Sequence, residues 1–315
     1  MSRNHHDTGY KELFSHPEFV QQLIEGFTPP ELAMLMDFST LQNHSGNYIT
    51  PLFEEKFEDV VWSVQMAWEG CLQEVYVYIL LEFQSSVDHT MPIRLMHYVA
   101  CFYDHLRKQK SARSGQGLPP VFPVVLYNGS RRWTARQDIY EMVVPEPPDF
   151  LRPYQPHLRY YLVDEGAYTK AELHGRPSAL SGIFEIEFAS SRQALQAAVN
   201  RIVAIIEAAP NKHRLDRVIT RWLKRHLVRM SADVNLDNVN SLVEDQSMLA
   251  ENLQHWSKKD REEGRQEGLQ KARLETAHKL IDRTDMDDQM IAEISGLTVE
   301  QVAQLRSEIP RNQSL

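Results

Sequence analysis

Cysteine is scarce: Cys71 and Cys101 are the two in 315 residues. Two thiols build no disulfide framework and fit a reducing cytosol. Long apolar runs are missing too. No stretch approaches the ~20 residues that cross a bilayer, so no membrane partner is expected. The opening MSRNHHDTGYKEL lacks an apolar signal region, which makes the cytoplasm the expected location. Basic excess is missing as well. Lys and Arg number 34 against 43 Asp and Glu, a net charge of -9. That balance argues against a protein wrapped broadly in nucleic acid, while leaving room for a local basic groove or a metal-bridged phosphate contact. There is no Walker motif, dinucleotide fingerprint, Cys-x-x-Cys pair or Gly-x-Ser-x-Gly elbow, which removes the commonest alternative enzymes. What remains is an ordinary globular composition, 42% apolar and 24% charged, long enough for one large core and an appendage.

Within that composition, two adjoining segments read as strands with polar groups on one side. Across 55–68, Val60, Trp62, Val64 and Met66 point one way, and Asp59, Ser63 and Gln65 the other. Glu69-Gly70 is a turn signal. Residues 74–86, EVYVYILLEFQSS, are rich in β-branched and aromatic side chains, as a buried strand is. Glu82 and Gln84 share one face of it, with Phe83 between them on the other. Folding about Gly70 brings Asp59 level with Leu81 and Glu82. Carboxylates ending so apolar a strand are costly to bury without a cation, and a divalent metal or an arginine can supply one.

The remaining chain supplies a frame. Helical spacing covers 8–27, broken at Pro17. A short helix through 31–36 and then a polar loop are expected over 31–50. A long helix over 91–110 turns Leu95, Val99, Phe102 and Leu106 inward, and Val121–Tyr127 reads as a central strand ended by Asn128-Gly129. Another strand is predicted within 157–166, and helices over 179–208 and 213–230. This order predicts an α/β core with a mixed sheet over 1–230. A charged linker or solvated helix is expected over 231–275, since 258–275 has almost no apolar face. A small helical hairpin is expected over 276–315, with Ile291, Ile294, Val302 and Leu305 as its stripes, Gly296 ending the first helix and Thr298 with Gln301 capping the second. It has the look of a helix-turn-helix, but Arg306 is the lone basic side chain of its second helix. A regulatory or oligomerising hairpin, and with it a homo-oligomer, is the plainer expectation.

Asp59, Glu82 and the Phe83 carbonyl are hard oxygen donors of the kind Mg²⁺ takes. Gln84 would orient a water; an amide has no useful proton affinity and is no general base. The alternative is structural: a surface Asp59 and a Glu82 paired with Arg94.

Four segments then carry a resemblance: HHDTGYKELFSHPEFVQQLI at 5–24, EDVVWSV at 58–64, VYVYILLEFQSSVDHTMPIRLMHY at 75–98 and LPPVFPVVLYNGSRRWT at 118–134. In order and spacing they resemble the recombination-promoting nuclease (Rpn) family of bacteria, also described as YhgA-like putative transposases, within the PD-(D/E)XK superfamily. The resemblance runs over about 5–230 and extends to the charged and helical tail. It implies a restriction-endonuclease-like core, a mixed central sheet flanked by helices, with a helical C-terminal extension. It implies a Mg²⁺-dependent DNA endonuclease, with Mn²⁺ as a substitute ion, linked to recombination or mobile-element activity. Asp59 then looks like the first metal carboxylate and Glu82 the second, and Gln84 stands where the superfamily has lysine. Lys11, Arg94, Arg131 and Arg132 are candidate phosphate contacts. Asp7 is either a helix cap or a supporting group. Phe83 and Asn128 stand where the family commonly has histidine. These departures keep open a second function, a catalytically weak assembly factor that binds DNA or a protein.

Overall fold

The computed structural model describes residues 4–44, 60–68, 70–82, 87–108, 117–129, 131–230 and 238–308, without the side chains of 4–8, 71, 78–82, 252–264 and 266–267. The chain divides into two compact units, Met1–Ala250 and Glu251–Leu315.

Proline sets the entry to the first unit. Pro17 lacks the N–H an interior turn needs but fits a first turn, so the pattern over 8–27 becomes α1 (Asn4–Phe14) and α2 (Pro17–Phe27). α2 buries Phe19, Val20, Leu23, Ile24 and Phe27, one helical stripe. The next stretch corrects the sequence reading. A short helix forms, α3 (Pro30–Leu35), but the expected polar loop is a strand over much of its length, β1 (Met36–His44). β1 is an edge strand with mostly exposed or half-exposed side chains, so no apolar alternation announces it. Its register shifts between Asp37 and Gln42, where the Asp37 carboxylate accepts the Ser39 N–H.

β2 (Val60–Trp68) and β3 (Cys71–Glu82) pair antiparallel, with Trp68 opposite Cys71 and Val60 opposite Ile79. Gly70 turns the corner at φ +75°, a left-handed conformation open to glycine at little cost. The expected polar face of β2 is not open to solvent: Val61 and Ser63 are as buried as Trp62 and Val64. Protein covers both faces. On one, α4 (Met91–Lys108) packs Leu95, Tyr98 and Phe102 against Val61, Tyr76 and Val125. On the other lies α1, where the Trp62 indole donates to the Phe14 carbonyl at 2.9 Å. α4 is also the crossover that a parallel pair requires. It returns the chain for β4 (Val121–Tyr127), parallel to β3, and β5 (Tyr161–Asp164) joins β4 in parallel. The result is a five-stranded mixed sheet in the order β1-β2-β3-β4-β5. β5 is shorter than the strand expected over 157–166.

α5 (Lys170–His174), α6 (Ala179–Glu187), α7 (Arg192–Ala208) and α8 (Lys212–Arg229) follow. The helical span 179–208 is interrupted before Ser191, whose hydroxyl caps α7 by accepting the Ala194 N–H. α8 packs on α1 and α7.

α9 (Gln246–Arg283) is followed by α10 (Asp288–Ser295) and α11 (Val299–Glu308). Gly296 ends α10 in the left-handed region. Thr298 and Gln301 exchange two bonds at the start of α11: the Gln301 N–H donates to Thr298 Oγ1 at 3.3 Å and the Thr298 N–H to Gln301 Oε1 at 3.0 Å. Ile291 and Val302 are fully buried, but Ile294 is 54% exposed, against expectation. The core they enter is completed by Ala277 with Leu274, Leu280 and Ile281 of α9. The hairpin therefore leans on the end of the long charged helix, a third wall that the charge of 258–275 concealed. Among the described residues, no helix is long and apolar enough to cross a membrane.

Candidate active site

Three parallel strands end side by side. Glu82 closes β3, Tyr127 closes β4 and Asp164 closes β5, and the register sets Glu82 opposite Tyr127 and Tyr127 opposite Asp164. Cross-strand partners stand on one face, so positions 82, 127 and 164 form a row across the sheet. The carboxyl ends of parallel strands are where open α/β sheets form binding crevices. The start of β2 lies at the same end, since Val60 sits opposite Ile79. Asp59, Phe83 and Gln84 lie outside the described residues, and Glu82 is described in its backbone alone.

The middle of the row is tightly built. Tyr127 is fully buried, and the Gly129 backbone packs so close to it that a Cβ there would come within 2.0 Å of the phenol oxygen. Only glycine fits two residues after Tyr127, whichever residue stands between. Trp133 stands edge-on to Tyr127 at 4.8 Å between ring centres. Its backbone N–H donates to Asp164 Oδ2 at 3.3 Å, and its indole N–H donates to the Tyr160 hydroxyl at 2.9 Å. That hydroxyl donates onward to the Arg136 carbonyl at 2.8 Å. Burial drives the Tyr160 phenol far above its ordinary range, so it stays a neutral donor. Tyr127 and Asp164 are members of the row that the sequence reading missed. A usable signal existed: Asp164 ends an apolar strand in YLVDEG just as Glu82 ends VYVYILLE.

The other expected residues fall around this end in different ways. Arg131 and Arg132 are exposed in the segment after β4. Lys11 is exposed on α1. Asp7 lies within α1, which starts at Asn4, so it does not cap that helix. Arg94, in the first turns of α4, pairs with Asp88 at 2.5 Å. Burial works upward on the Asp88 carboxyl, but the Thr90 hydroxyl, Arg94 and the Thr90 N–H together hold it below its ordinary value. Among the described residues, no three His, Cys, Asp or Glu side chains converge as a cation cage.

A second polar cluster sits beneath α1. Directly after Asp164, the fully buried Glu165 accepts the Tyr10 hydroxyl at 2.9 Å. Glu187, at the end of α6, pairs with Arg229 at 2.6 Å and lies 3.3 Å from His226 Nδ1, both on α8. Burial, and then the charge of Glu187, push the Glu165 carboxyl well above its usual range. Burial pushes Glu187 upward too, but His226 and Arg229 outweigh it and hold that carboxyl low. The cluster joins α1, the end of β5, α6 and α8, and acts as an internal tie. An open groove of about 840 Å³ between α2 and α7, lined by Glu18, Gln22, Ala204 and Ile205, is separate from the strand-end row.

The model of the family described as "Putative transposase, YhgA-like" matches residues 4–215. The chain is 32% identical over 127 residues to recombination-promoting nuclease RpnD of Escherichia coli O157:H7, covering 40% of this chain and 46% of that one. It is 33% identical over 125 residues to recombination-promoting nuclease RpnC of Escherichia coli K12, covering 39% of each. It is 31% identical over 93 residues to "Putative inactive recombination-promoting nuclease-like protein YjiP" of Escherichia coli K12, covering 30% of this chain and 86% of that one. The chain thus spans less than half the length of RpnD and RpnC. No solved structure matches it.

Proposed function

The chain belongs to the YhgA-like putative transposase family, and on that premise we propose that it is a metal-dependent DNA endonuclease built on a PD-(D/E)XK core. The observation that carries this reading is the row of strand ends. Glu82, singled out in the sequence for its carboxylate, occupies the C-terminal edge of a parallel set, beside the start of the strand that Asp59 precedes. The mixed sheet with helices on both faces supports the same core.

The donor chemistry fits a hard cation. Asp59, Glu82 and the Phe83 carbonyl would hold Mg²⁺, or Mn²⁺ in its place. When bound, the ion neutralises charge on the phosphoryl group and makes a water more acidic. The chain's own residues supply the rest. Gln84 orients the attacking water and takes no proton. Exposed Arg131, Arg132 and Lys11 are free to meet phosphates, whereas Arg94 would have to exchange Asp88 for one. Trp133 walls Tyr127, the middle of the row. Asp164, the third member of the row, anchors the Trp133 backbone and so positions Arg131 and Arg132.

Relatives that carry the word inactive in their names, YjiP among them, are part of the same set, and Phe83 and Asn128 replace histidines of the family pattern. Both favour a second reading, a catalytically weak factor that binds DNA or protein. Purified chain incubated with plasmid and linear duplex, with Mg²⁺ or Mn²⁺ and with chelator, separates the two. The endonuclease reading requires metal-dependent cuts that Asp59→Ala and Glu82→Ala abolish. Shifted but uncut DNA supports the second.

A further inference from the structure

We propose that the outward face of α8 is a docking surface for the phosphate backbone of duplex DNA, an inference that rests on the reading of DNA as substrate. α8, KHRLDRVITRWLKRHLVR, carries seven Lys and Arg against one acidic residue, Asp216. This is a sharp reversal in a chain of net charge -9. At about 100° per residue, Arg214, Arg217, Arg221, Lys224 and Arg225 fall within an arc of about 100°, spread along ~16 Å of axis. The opposite arc, with Leu215, Ile219, Trp222 and His226, is buried. The cations therefore form a fixed ridge on a packed helix.

The acids around the ridge are accounted for. Glu12 of α1 pairs with Arg221 at 2.8 Å and also with Arg225. Glu18 of α2 pairs with Arg214 at 3.3 Å. Asp216 accepts from Thr220 Oγ1 and the Leu242 N–H. Arg217 and Lys224 have no ion-pair partner among the described residues. The ridge keeps net positive charge along one flank, with arginines alongside that can exchange a half-buried carboxylate for a phosphate fork.

The chemistry selects the partner. A duplex presents one phosphate charge per about 1.7 Å of axis, wound over its two strands, so a cationic ridge ~16 Å long runs past several of them. An anionic membrane is a poorer match, because a surface-seeking helix inserts an apolar face and that of α8 is already buried in the fold. There is also a need to fill. A nuclease site made of carboxylates repels phosphates, and an acidic protein that grips DNA must gather its cations elsewhere. The family match ends at residue 215, so nearly all of the ridge lies beyond it.

The test is salt-dependent binding of the full chain to a labelled duplex, read by anisotropy in chelator so that no cleavage intervenes. The variant is Arg217→Glu with Lys224→Glu, two groups whose loss breaks no ion pair among the described residues. The control, Lys271→Glu with Lys279→Glu on α9, changes net charge equally. We expect the α8 variant to melt like wild type, to bind at least about tenfold more weakly at low salt, and to lose about two units of salt slope. The control should bind like wild type. Equal binding by the two double variants overturns the ridge, as does wild-type chain that binds phosphatidylserine vesicles and no duplex. Cleavage of the same duplex at saturating protein with Mg²⁺ is read in parallel. Ridge-dependent binding without cutting sustains the surface and sinks the endonuclease reading. Cutting with ridge-independent binding does the reverse.

Discussion

Glu165 and Glu187 face each other's charge inside the first unit, yet their surroundings push them apart. Glu165 is raised by burial and by Glu187. A carboxyl raised in the folded state contributes fully below its ordinary value of 4.5, and that contribution drains away as pH climbs toward the folded value. Glu187, held low by His226 and Arg229 despite burial, contributes above 4.5 and fails as pH falls through its folded value. Glu165→Gln keeps an acceptor for the Tyr10 hydroxyl and removes the titration. Thermal melts should show wild type losing stability from pH 5 to pH 8 and the variant losing less. Parallel curves would mean that Glu165 is ionised at little cost. Gly129 offers a steric counterpart. Gly129→Ala drives a methyl into the Tyr127 ring, and overpacking of this kind costs about 1–3 kcal/mol. Urea melts should show that loss, with the Trp133 fluorescence changed because its ring rests on Tyr127. At the two carboxylates proposed to hold the ion, Asp59→Ala or Glu82→Ala should slow cleavage at least about 100-fold, through lost charge stabilisation. Gln84→Ala, which removes one water-positioning bond, should cost less. Single-turnover rates decide the ranking, and carboxylate variants that cut at the wild-type rate would move the chemistry elsewhere.

Elements succeed or fail by how plainly their burial shows in the sequence. α2, α4 and β4 are legible because each keeps one buried stripe along its length: Leu95, Phe102 and Leu106 join the core against the sheet, and Val99 is buried on the same helix. β1 is illegible for the opposite reason. An edge strand with exposed or half-exposed residues pairs through its backbone, and backbone hydrogen bonds leave no mark on side-chain choice. The α10–α11 pair shows both outcomes. Its caps are local and can be read, Gly296 and the Thr298–Gln301 exchange among them. Its core is not local, because Ala277 of α9 is buried in it while Ile294 is left exposed. Arg306 is also spoken for, bonded to Asp288 at 2.7 Å and to the Met286 carbonyl at 2.8 Å. The one basic side chain of α11 is thus an internal clasp, poorly placed to read DNA.

At the scale of the whole molecule, the boundary after Ala250 is the testable feature. The first unit has its own sheet, covering helices and buried ties, and the second has its own small core. A chain ended after Ala250 should keep a cooperative melt and the chemical step of cleavage, with any loss falling on self-association. Light scattering and calorimetry of the two forms check this. Loss of the main transition on truncation would show that the first unit depends on the second.

The sequence alone determined the α/β class, the break at Pro17, the turn at Gly70 and the strand at Val121–Tyr127. Each is a local rule: a missing N–H, a positive φ, a two- or four-residue period. Tertiary structure decided what local rules leave open. It set β1 at the edge, placed positions 82, 127 and 164 in one row, and buried Glu165 under α1 while its neighbour Asp164 bonds Trp133. Those outcomes depend on which strands become neighbours and which helices cover them. Neighbours far apart in the chain are chosen by packing of the whole core, and no short window of sequence carries that information.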